Sequence, residues 1–284
     1  MITGHTRLAA VIGSPVQHSL SPTLHNAAFA AAQLDWAYVA FEVAPGNAGQ
    51  ALDAMRSLQL GGLNITMPHK GDVAGLCDSL SASAQRLQSV NTVVPIVAAN
   101  GTVTLHGEST DGDGFIDSLA DESVFAVGKR CVVVGAGGAG RAVALALRNA
   151  GAESVTIVNR SFANAQLAAD LTGCVAVPMG ETNEILRSCD LIVNASSVGM
   201  TDVAQSPIDP TLLGSHHVIA ELIYHPSETT LMRHARASGA TVVGGIGMLI
   251  YQGARSFEMW TGVAPSIGAM KNAALSALAQ RTTS

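Results

Sequence analysis

The chain has 284 residues, of which 48% are hydrophobic and 13% charged, and its formal net charge at pH 7 is −6. This length allows two domains of ordinary size, each with a buried core. Because the net charge is negative and no basic run is present, we expect no nucleic acid partner. The longest apolar stretches, residues 131–147 and 191–200, are interrupted before the roughly 20 residues that a bilayer requires, so no membrane partner is predicted.

The first residues show no basic segment followed by a continuous apolar one, so no secretory signal is predicted. Cys77, Cys131, Cys174 and Cys189 are scattered and form no C-x-x-C pair, which favours a reducing, cytoplasmic location. The histidines lack the spacing of metal ligands, and no metal site is predicted.

The first 110 residues alternate segments typical of strands with segments typical of helices. Strands are predicted over residues 8–13, 36–43 and 62–67, and helices over residues 24–32 and 47–58. This alternation is typical of a mainly parallel sheet. Two further strands, residues 89–95 with Asn91 and residues 103–107, are predicted to form a hairpin, because Asn100-Gly101 is a turn signal.

Two serines follow the first strand. Ser21, directly before Pro22, can cap the next helix. Alternatively, the hydroxyls of Ser19 and Ser21, together with backbone N–H groups at the helix N-terminus, can bind a carboxylate. The sequence leaves both interpretations open.

Lys70 comes just after the third strand, beside Asn64 and Thr66. The chain contains only three lysines, and α/β sheets bind their ligands at the carboxyl ends of strands. Lys70 is therefore predicted to act as an acid or base, the alternative being a solvated lysine that begins a helix. Asp111, in the segment Thr110-Asp111-Gly112 that opens a helix, is most simply an N-cap.

The second half of the chain begins with a strand, a glycine turn, a helix and another strand. The apolar run 131–134 leads into glycines at the G-x-G-x-x-G spacing, a helix is predicted over residues 139–148 with Gly151 after its end, and residues 154–158 form the next strand. This arrangement predicts a dinucleotide site, whereas the glycines alone would allow a merely tight turn. The loop residues are Gly135, Ala136, Gly137, Gly138, Ala139 and Gly140.

Alternating helices and strands continue to the end of the chain. Helices are predicted over residues 163–171, 183–186, 228–237, 250–261 and 266–279, and strands over residues 175–177, 191–195, 217–222 and 241–243.

The segment Asn159-Arg160-Ser161 stands where NAD-specific proteins carry an acidic residue. No carboxylate is present to repel a 2′-phosphate, and Arg160 could pair with it. The sequence therefore favours NADP as cofactor, the alternative being an ordinary surface arginine.

Taken together, these motifs resemble the shikimate dehydrogenase family along nearly the whole chain. They occur in the order that this family shows: H-S-x-S-P (18–22), N-x-T-x-P-x-K (64–70), V-N-T (90–92), T-D-G (110–112), G-A-G-G-A-G (135–140), N-R-[ST] (159–161), N-x-[ST]-x-x-G-M (194–200) and G-x-G-M-L-x-x-Q (245–252).

The resemblance implies a two-domain α/β fold. A substrate-binding catalytic domain, residues 1–110 completed by 248–284, would hold a mainly parallel sheet, and residues 111–247 would form a Rossmann-type NADP domain. The last helices would return to the first domain.

The resemblance also implies roles for individual residues. Lys70 and Asp111 would transfer the proton. Ser19, Ser21 and Tyr224 would bind the carboxylate of shikimate, and Asn64, Thr66, Asn91, Asp111 and Gln252 its hydroxyls. The cofactor would contact the glycine loop, Asn159, Arg160, Ser161, Asn194, Ser196, Gly245 and Met248.

Three positions depart from the family pattern. Ser109 replaces an asparagine, Asn164 stands where an arginine or lysine is common, and Glu221 replaces an aspartate. The expected activity is NADP-dependent reduction of 3-dehydroshikimate to shikimate. The alternatives are a related dehydrogenase of quinate or aminoshikimate, with NAD as its cofactor, and a non-catalytic NADP-sensing module. A homodimer is compatible with the sequence.

Overall fold

The structure, a computed structural model, describes residues 2–281. Contacts between residues divide the chain into two compact units. The first unit contains the residues up to Thr110 and those from Ile250 onward, and the second contains Asp111–Leu249. Met1 and residues 282–284, which the first predicted domain includes, lie outside the described residues.

The first unit begins with a series of short helices and strands. In chain order they are β1 (Arg7–Gly13), α1 (Ser21–Ala31), β2 (Trp36–Glu42), α2 (Ala48–Ser57), β3 (Gly62–Ile65), α3 (Lys70–Ala74), β4 (Ser79–Leu80), α4 (Ala82–Leu87), β5 (Thr92–Val97) and β6 (Val103–Glu108). Among these, β4 and α4 were not predicted, and α3 was expected only in the alternative interpretation of Lys70, as a helix that this lysine begins.

The sheet of the first unit has the strand order β2-β1-β3-β5-β6-β4. β1 runs parallel to β2 and β3, whereas β5 is antiparallel to both β3 and β6. Because β5 is reversed, its first residue Thr92 pairs with Asn64 near the carboxyl end of β3. One edge of the sheet therefore gathers the ends of β1, β3 and β6 and the start of β5.

The second unit is built on six parallel strands. Its elements are α5 (Asp111–Asp121), β7 (Arg130–Val134), α6 (Gly138–Asn149), β8 (Ser154–Asn159), α7 (Phe162–Thr172), β9 (Val175–Pro178), α8 (Asn183–Ser188), β10 (Leu191–Asn194), β11 (Val218–Glu221), α9 (Thr230–Ala237) and β12 (Thr241–Val243).

The strand order of the second sheet is β12-β11-β10-β7-β8-β9, and every neighbouring pair is parallel. This is the Rossmann order, in which the chain starts at the centre and extends first to one side and then to the other. The order reverses between β7 and β10, where Val134 pairs with Asn194. Ligands of such sheets bind outside the carboxyl ends of the strands at this switch point.

The last two helices are α10 (Ile246–Thr261), which crosses from the second unit into the first, and α11 (Ile267–Arg281). Trp260 of α10 packs against Gly62 of β3, and its indole N–H donates to the Val93 carbonyl at 3.1 Å. The predicted two-domain α/β architecture with C-terminal helices in the first domain is confirmed.

Two further observations concern partners. Within residues 2–281, no helix is both long and apolar enough to span a membrane. Over the same part of the chain, no group of three or more His, Cys, Asp or Glu side chains is arranged to hold a metal ion.

Candidate active site

Ser21 is the first residue of α1, and the preceding residue, Leu20, occupies the cap position without a side-chain cap bond. Ser21 is 5% exposed. The Ser19 hydroxyl accepts a hydrogen bond from the Ser21 N–H at 3.2 Å. Ser21 therefore does not occupy the cap position, and the Ser19 side chain contacts the first N–H group of the helix instead.

Lys70 is the first residue of α3, at the carboxyl end of β3. The turn before it is fixed by the His69 N–H, which donates to the Thr66 carbonyl at 3.1 Å, and the Lys70 carbonyl accepts from the Val90 N–H at 2.9 Å. His69 is fully buried, with Nε2 2.7 Å from the Val43 carbonyl. Lys70 is half-buried, which differs from a fully solvated surface lysine.

The Asn91 side chain joins three elements of the first unit. It directly precedes β5 and is 3% exposed. Its Oδ1 accepts from the Thr110 N–H at 2.7 Å, and its Nδ2 donates to Thr110 Oγ1 at 2.8 Å and to Gln252 Oε1 at 3.2 Å. The start of β5, the end of β6 and α10 therefore meet at one amide.

Asn64 completes this buried polar cluster. Its Nδ2 donates to the Asn91 carbonyl at 3.2 Å and to Ser256 Oγ at 3.0 Å. The structure thus connects Asn64, Asn91 and Gln252, which are separated by up to 188 residues in the chain, through direct hydrogen bonds. All seven predicted site residues of the first unit (Ser19, Ser21, Asn64, Thr66, Lys70, Asn91 and Gln252) lie in or next to the elements at this end of the sheet.

Asp111 lies in the second unit, where it begins α5 and is 6% exposed. It is the first helical residue, one position after the place of an N-cap, where the helix dipole favours a carboxylate. A Cβ on the next residue, Gly112, would lie 2.6 Å from the Ala142 carbonyl, so this glycine lets α5 approach α6. Tyr224, half-buried, follows the end of β11 in the same unit.

The three glycines of the loop after β7 have different surroundings. Gly135 has φ +121° and leaves no room for a Cβ, which would lie 2.6 Å from the Ala195 carbonyl. Gly137, at the N-cap of α6, has nothing within 4 Å of an added Cβ, and a Cβ on Gly140 would overlap the Gly135 carbonyl. Their geometry matches a tight turn, an open approach for a phosphate and close helix packing.

Arg141 is a candidate that the sequence analysis did not single out. It lies in the first turn of α6, where its Nε donates to the Ala136 carbonyl of the glycine loop at 3.2 Å. A cation at a helix N-terminus is unfavourable with respect to the helix dipole, and a bound anion would offset this. The position of Arg141 directly after the glycine loop is visible in the sequence, so this residue could have been predicted.

Arg160 is exposed and directly follows β8. The turn around it is fixed on both sides: Asn159 Nδ2 donates to the Ser161 carbonyl at 3.0 Å, and Ser161 Oγ caps α7 by accepting from the Asn164 N–H at 3.4 Å. No acidic residue occurs in residues 159–164. These residues fit a nucleotide that carries a 2′-phosphate.

Glu221 is 1% exposed at the end of β11 and binds three partners. Asn194 Nδ2 donates to its two carboxylate oxygens at 2.9 and 3.0 Å, Thr229 Oγ1 donates at 2.9 Å and the Ile223 N–H at 3.1 Å. Burial raises the pKa of Glu221 above its ordinary value, and these hydrogen bonds oppose that effect. The carboxylate therefore ties the ends of β10 and β11 to the start of α9.

The remaining predicted cofactor residues lie at and after the end of β10, after β12 and at the start of α10. Asn194 Oδ1 accepts from the Ser196 N–H at 3.1 Å and from Ser196 Oγ at 2.7 Å. A Cβ on Gly245 would lie 2.6 Å from the Leu222 carbonyl, and Met248 is 8% exposed in α10. The loops after β10, β11 and β12 are thus held at the end of the sheet where the glycine loop also lies.

Fold and site together define a class of protein. The second unit is a Rossmann-type dinucleotide-binding fold, and the first unit carries a buried polar cluster beside a lysine. This combination is typical of dehydrogenases that use a nicotinamide cofactor.

Comparison with known proteins narrows this class. Residues 11–93 match the family model of the shikimate dehydrogenase substrate binding domain, residues 118–210 that of shikimate / quinate 5-dehydrogenase, and residues 245–275 that of the shikimate 5'-dehydrogenase C-terminal domain. A shikimate dehydrogenase (NADP(+)) of Symbiobacterium thermophilum is 41% identical, with 97% of this chain and 96% of the relative covered.

Solved structures agree with the sequence relatives. Shikimate 5-dehydrogenase of Thermus thermophilus in complex with NADP(H) and shikimate has a TM-score of 0.88 at 38% identity, covering 96% of this chain and 100% of that one. Quinate dehydrogenase of Corynebacterium glutamicum in complex with NAD has a TM-score of 0.87 at 31% identity, covering 95% and 99%. The chain belongs to the shikimate dehydrogenase family, so the resemblance found in the sequence is confirmed.

Proposed function

We propose that this protein catalyses the reversible, NADP-dependent reduction of 3-dehydroshikimate to shikimate. The observation that carries the proposal is the buried cluster of Asn64, Asn91 and Gln252, at the end of the first sheet where Lys70 also lies. A substrate with several ring hydroxyls requires convergent donors and acceptors of this kind. The first unit would bind the substrate and the second the cofactor.

The substrate would be held through two kinds of group. Ser19, Ser21 and Tyr224 would bind its carboxylate through their hydroxyls. The hydroxyls of the ring would be bound by Asn64, Thr66, Asn91, Asp111 and Gln252.

Lys70 and Asp111 would form the proton-transfer pair. When NADPH is bound, it supplies the hydride that reduces the keto carbon. Lys70 would donate a proton to the keto oxygen as negative charge develops there, and its positive charge would stabilise the developing alkoxide. In the oxidative direction the pair would accept the hydroxyl proton, while Asp111 orients the lysine.

The cofactor would lie at the switch point of the second sheet. Gly135–Gly140 and the free N–H groups of α6 would hold its pyrophosphate, with Arg141 adding a positive charge. Arg160 would pair with the 2′-phosphate, flanked by Asn159 and Ser161. Asn194, Ser196, Gly245 and Met248 would line the remainder of the site.

A steady-state assay with shikimate or quinate, each with NADP or NAD, tests this function. We expect the highest kcat/KM for shikimate with NADP. Binding of NADP without turnover in any combination would instead indicate an NADP-sensing module. In the same assay with an aminoshikimate as a further substrate, higher activity would identify a paralogue of altered substrate preference.

Oxidation of quinate with NAD is a second candidate activity. It is favoured by the first turn of α7, where Phe162, Ala163 and Asn164 provide no second basic residue to assist Arg160. The C. glutamicum relative reported above is a quinate dehydrogenase with bound NAD. In the four-way assay this activity would give a higher kcat/KM for quinate with NAD.

Replacement of Lys70 tests the proton-transfer role. We expect Lys70→Ala to lower kcat by roughly 10²- to 10⁴-fold, the usual size of general acid–base catalysis, with a much smaller change in KM for shikimate. Lys129→Ala, which removes a half-buried lysine from the second unit, is the control and should retain wild-type kcat. Near-normal turnover of the Lys70 variant would show that another group moves the proton.

We infer a cytoplasmic location from the cysteines. Cys77, Cys131, Cys174 and Cys189 are all free thiols, and such thiols are typical of a reducing compartment. Fractionation of cells that produce the protein tests this inference.

A homodimer is part of the proposal as well, since most soluble oligomers are symmetric homo-oligomers. Light scattering coupled to size-exclusion chromatography measures the mass directly. A mass of 29.0 kDa would indicate a monomer.

A further inference from the structure

The Tyr38 side chain lies in the interior of the first unit and contacts the buried polar cluster at Asn64. It lies in β2, is 2% exposed, and its hydroxyl is 2.6 Å from Asn64 Oδ1. Its backbone is held by Asn26, which accepts from the Tyr38 N–H and donates to the Tyr38 carbonyl, both at 2.8 Å. Hydrogen bonds therefore fix both the backbone and the phenol hydroxyl of Tyr38.

The contacts of Asn64 determine which end of its amide faces Tyr38. The Asn91 carbonyl can only accept a hydrogen bond, and it lies 3.2 Å from the side-chain nitrogen of Asn64. Thr92 Oγ1 at 3.1 Å and Ser256 Oγ at 3.0 Å lie on the same side. The nitrogen must therefore point to this group, so the oxygen faces Tyr38 and the phenol donates to it.

The Tyr38 ring is held from its faces. It stacks on the fully buried His25 with ring centroids 4.3 Å apart and an angle of 6° between the planes. Trp260 lies 6.1 Å away on a tilted plane. The hydroxyl therefore has little freedom to leave Asn64.

We propose that Tyr38 is a positioning residue: its hydroxyl holds the Asn64 amide in the orientation that binds a ring hydroxyl of the substrate. This inference rests on the proposed function, in which Asn64 contacts the substrate. Tyr38 itself would act only through Asn64.

A double-mutant cycle of Tyr38→Phe and Asn64→Ala tests the proposal. Tyr38→Phe keeps the ring and removes only the donor. We expect it to raise KM for shikimate roughly tenfold, as for loss of one buried hydrogen bond, while kcat changes less than about threefold and KM for NADP stays constant. In the Asn64→Ala background, the same substitution should change KM by less than about twofold.

Thr172→Val is the matched control, because this buried hydroxyl donates to the Ala168 and Ala169 carbonyls of its own helix in the second unit. It should leave both kinetic constants unchanged although it also removes a buried hydroxyl. If Asn64→Ala lowers the yield of folded protein, Asn64→Ser takes its place in the cycle.

A second measurement tests the contact without substrate. In protein labelled with ¹⁵N-asparagine, Tyr38→Phe should shift the side-chain amide resonance of Asn64, and Thr172→Val should not. An unshifted resonance, or equal effects of Tyr38→Phe on KM in both backgrounds, would overturn the proposal while leaving the proposed function intact. An unmutated enzyme that does not turn over shikimate with NADP would contradict the proposed function and, with it, this inference.

Discussion

At the scale of single residues, cofactor choice depends on Arg160, the exposed side chain after β8. We expect Arg160→Asp to lower the ratio of kcat/KM with NADP to that with NAD by roughly 10- to 100-fold, because a carboxylate would repel the 2′-phosphate that the guanidinium attracts. Initial rates with both cofactors measure the ratio. Arg187→Asp makes the same charge change at an exposed position in α8 and should leave the ratio unaltered. An unaltered ratio in the Arg160 variant would show that other groups recognise the phosphate.

His25 links residue chemistry to stability. Burial lowers the pKa of its imidazole to about 3, and the neighbouring Asn64 side chain opposes this effect without offsetting it. The folded protein therefore keeps His25 neutral at pH values where an unfolded chain, with an ordinary histidine pKa of 6.5, takes up a proton. Proton uptake by the unfolded state makes unfolding more favourable as the pH falls.

The expected pH dependence follows from these two pKa values. The free energy of unfolding should decrease by about 1.4 kcal/mol for each pH unit between 6.5 and 3 on account of His25, and this contribution should be constant above pH 6.5. Urea unfolding at several pH values should give a shallower slope for His25→Phe than for the wild type. His234→Gln, which removes an exposed histidine of α9, should retain the wild-type slope. Equal slopes for wild type and His25→Phe would contradict the assignment.

The sequence could predict residues whose chemistry is marked by local spacing. Gly135, Gly137 and Gly140 have the geometry that their spacing indicated, and Lys70 follows β3 as predicted. Tyr38 could not be recognised, because its partner Asn64 is 26 residues away and Ser256 a further 192. In β2 a tyrosine is indistinguishable from an ordinary buried aromatic side chain until the strand order is known.

At the scale of helices and strands, Gly112 and Gly49 make a matched pair of helical glycines. A Cβ at Gly112 would lie 2.6 Å from the Ala142 carbonyl, whereas nothing lies within 4 Å of a Cβ at Gly49. We expect Gly112→Ala to destabilise the protein by about 1–3 kcal/mol, because α5 must move away from α6. Gly49→Ala should instead stabilise it by about 0.4–1 kcal/mol through lower entropy of the unfolded chain. Chemical denaturation of both variants tests the contrast, and a neutral Gly112→Ala would contradict the close approach.

The elements that the sequence analysis missed are short or contain glycine. Helices α3 and α4 have five and six residues, too few for a helical period to be visible, and β4 has only two. Helix α10 begins at Ile246, whereas the sequence analysis placed its start at residue 250. The difference arises at Gly247, a residue with low helix propensity, whose added Cβ would lie 3.0 Å from the Ser118 Cβ. Tertiary packing thus places a glycine in a helix that propensity alone would end.

At the scale of the whole molecule, the first unit depends on helix α10. Trp260 is 7% exposed and covers Gly62, so Trp260→Ala should leave a cavity and lower the free energy of unfolding by about 3–5 kcal/mol. Hydrogen exchange should show the loss of protection in β1, β3 and β5, with β7 and β10 of the second unit unaffected. Equal losses in both units would indicate that the chain unfolds as one cooperative body.

The alternation of strands and helices predicted a mainly parallel sheet in the first unit, and β1, β2 and β3 follow that prediction. The antiparallel pairing of β5 with β6 arises because the two strands form a hairpin, which the turn at Asn100-Gly101 permits. The reversal of β5 is what brings Asn91, from the start of a strand, beside Asn64 near the end of another.

The division of the first unit into two distant parts of the chain affects how the protein is made. A ribosome produces the chain from its N-terminus, so β3 and β5 emerge long before Ser256 and Trp260, which complete their packing. At about 5–20 residues per second, synthesis of the intervening residues 111–249 takes on the order of ten seconds. The second unit, which is continuous, can therefore fold during translation, whereas the candidate substrate site can form only when the last helices are released.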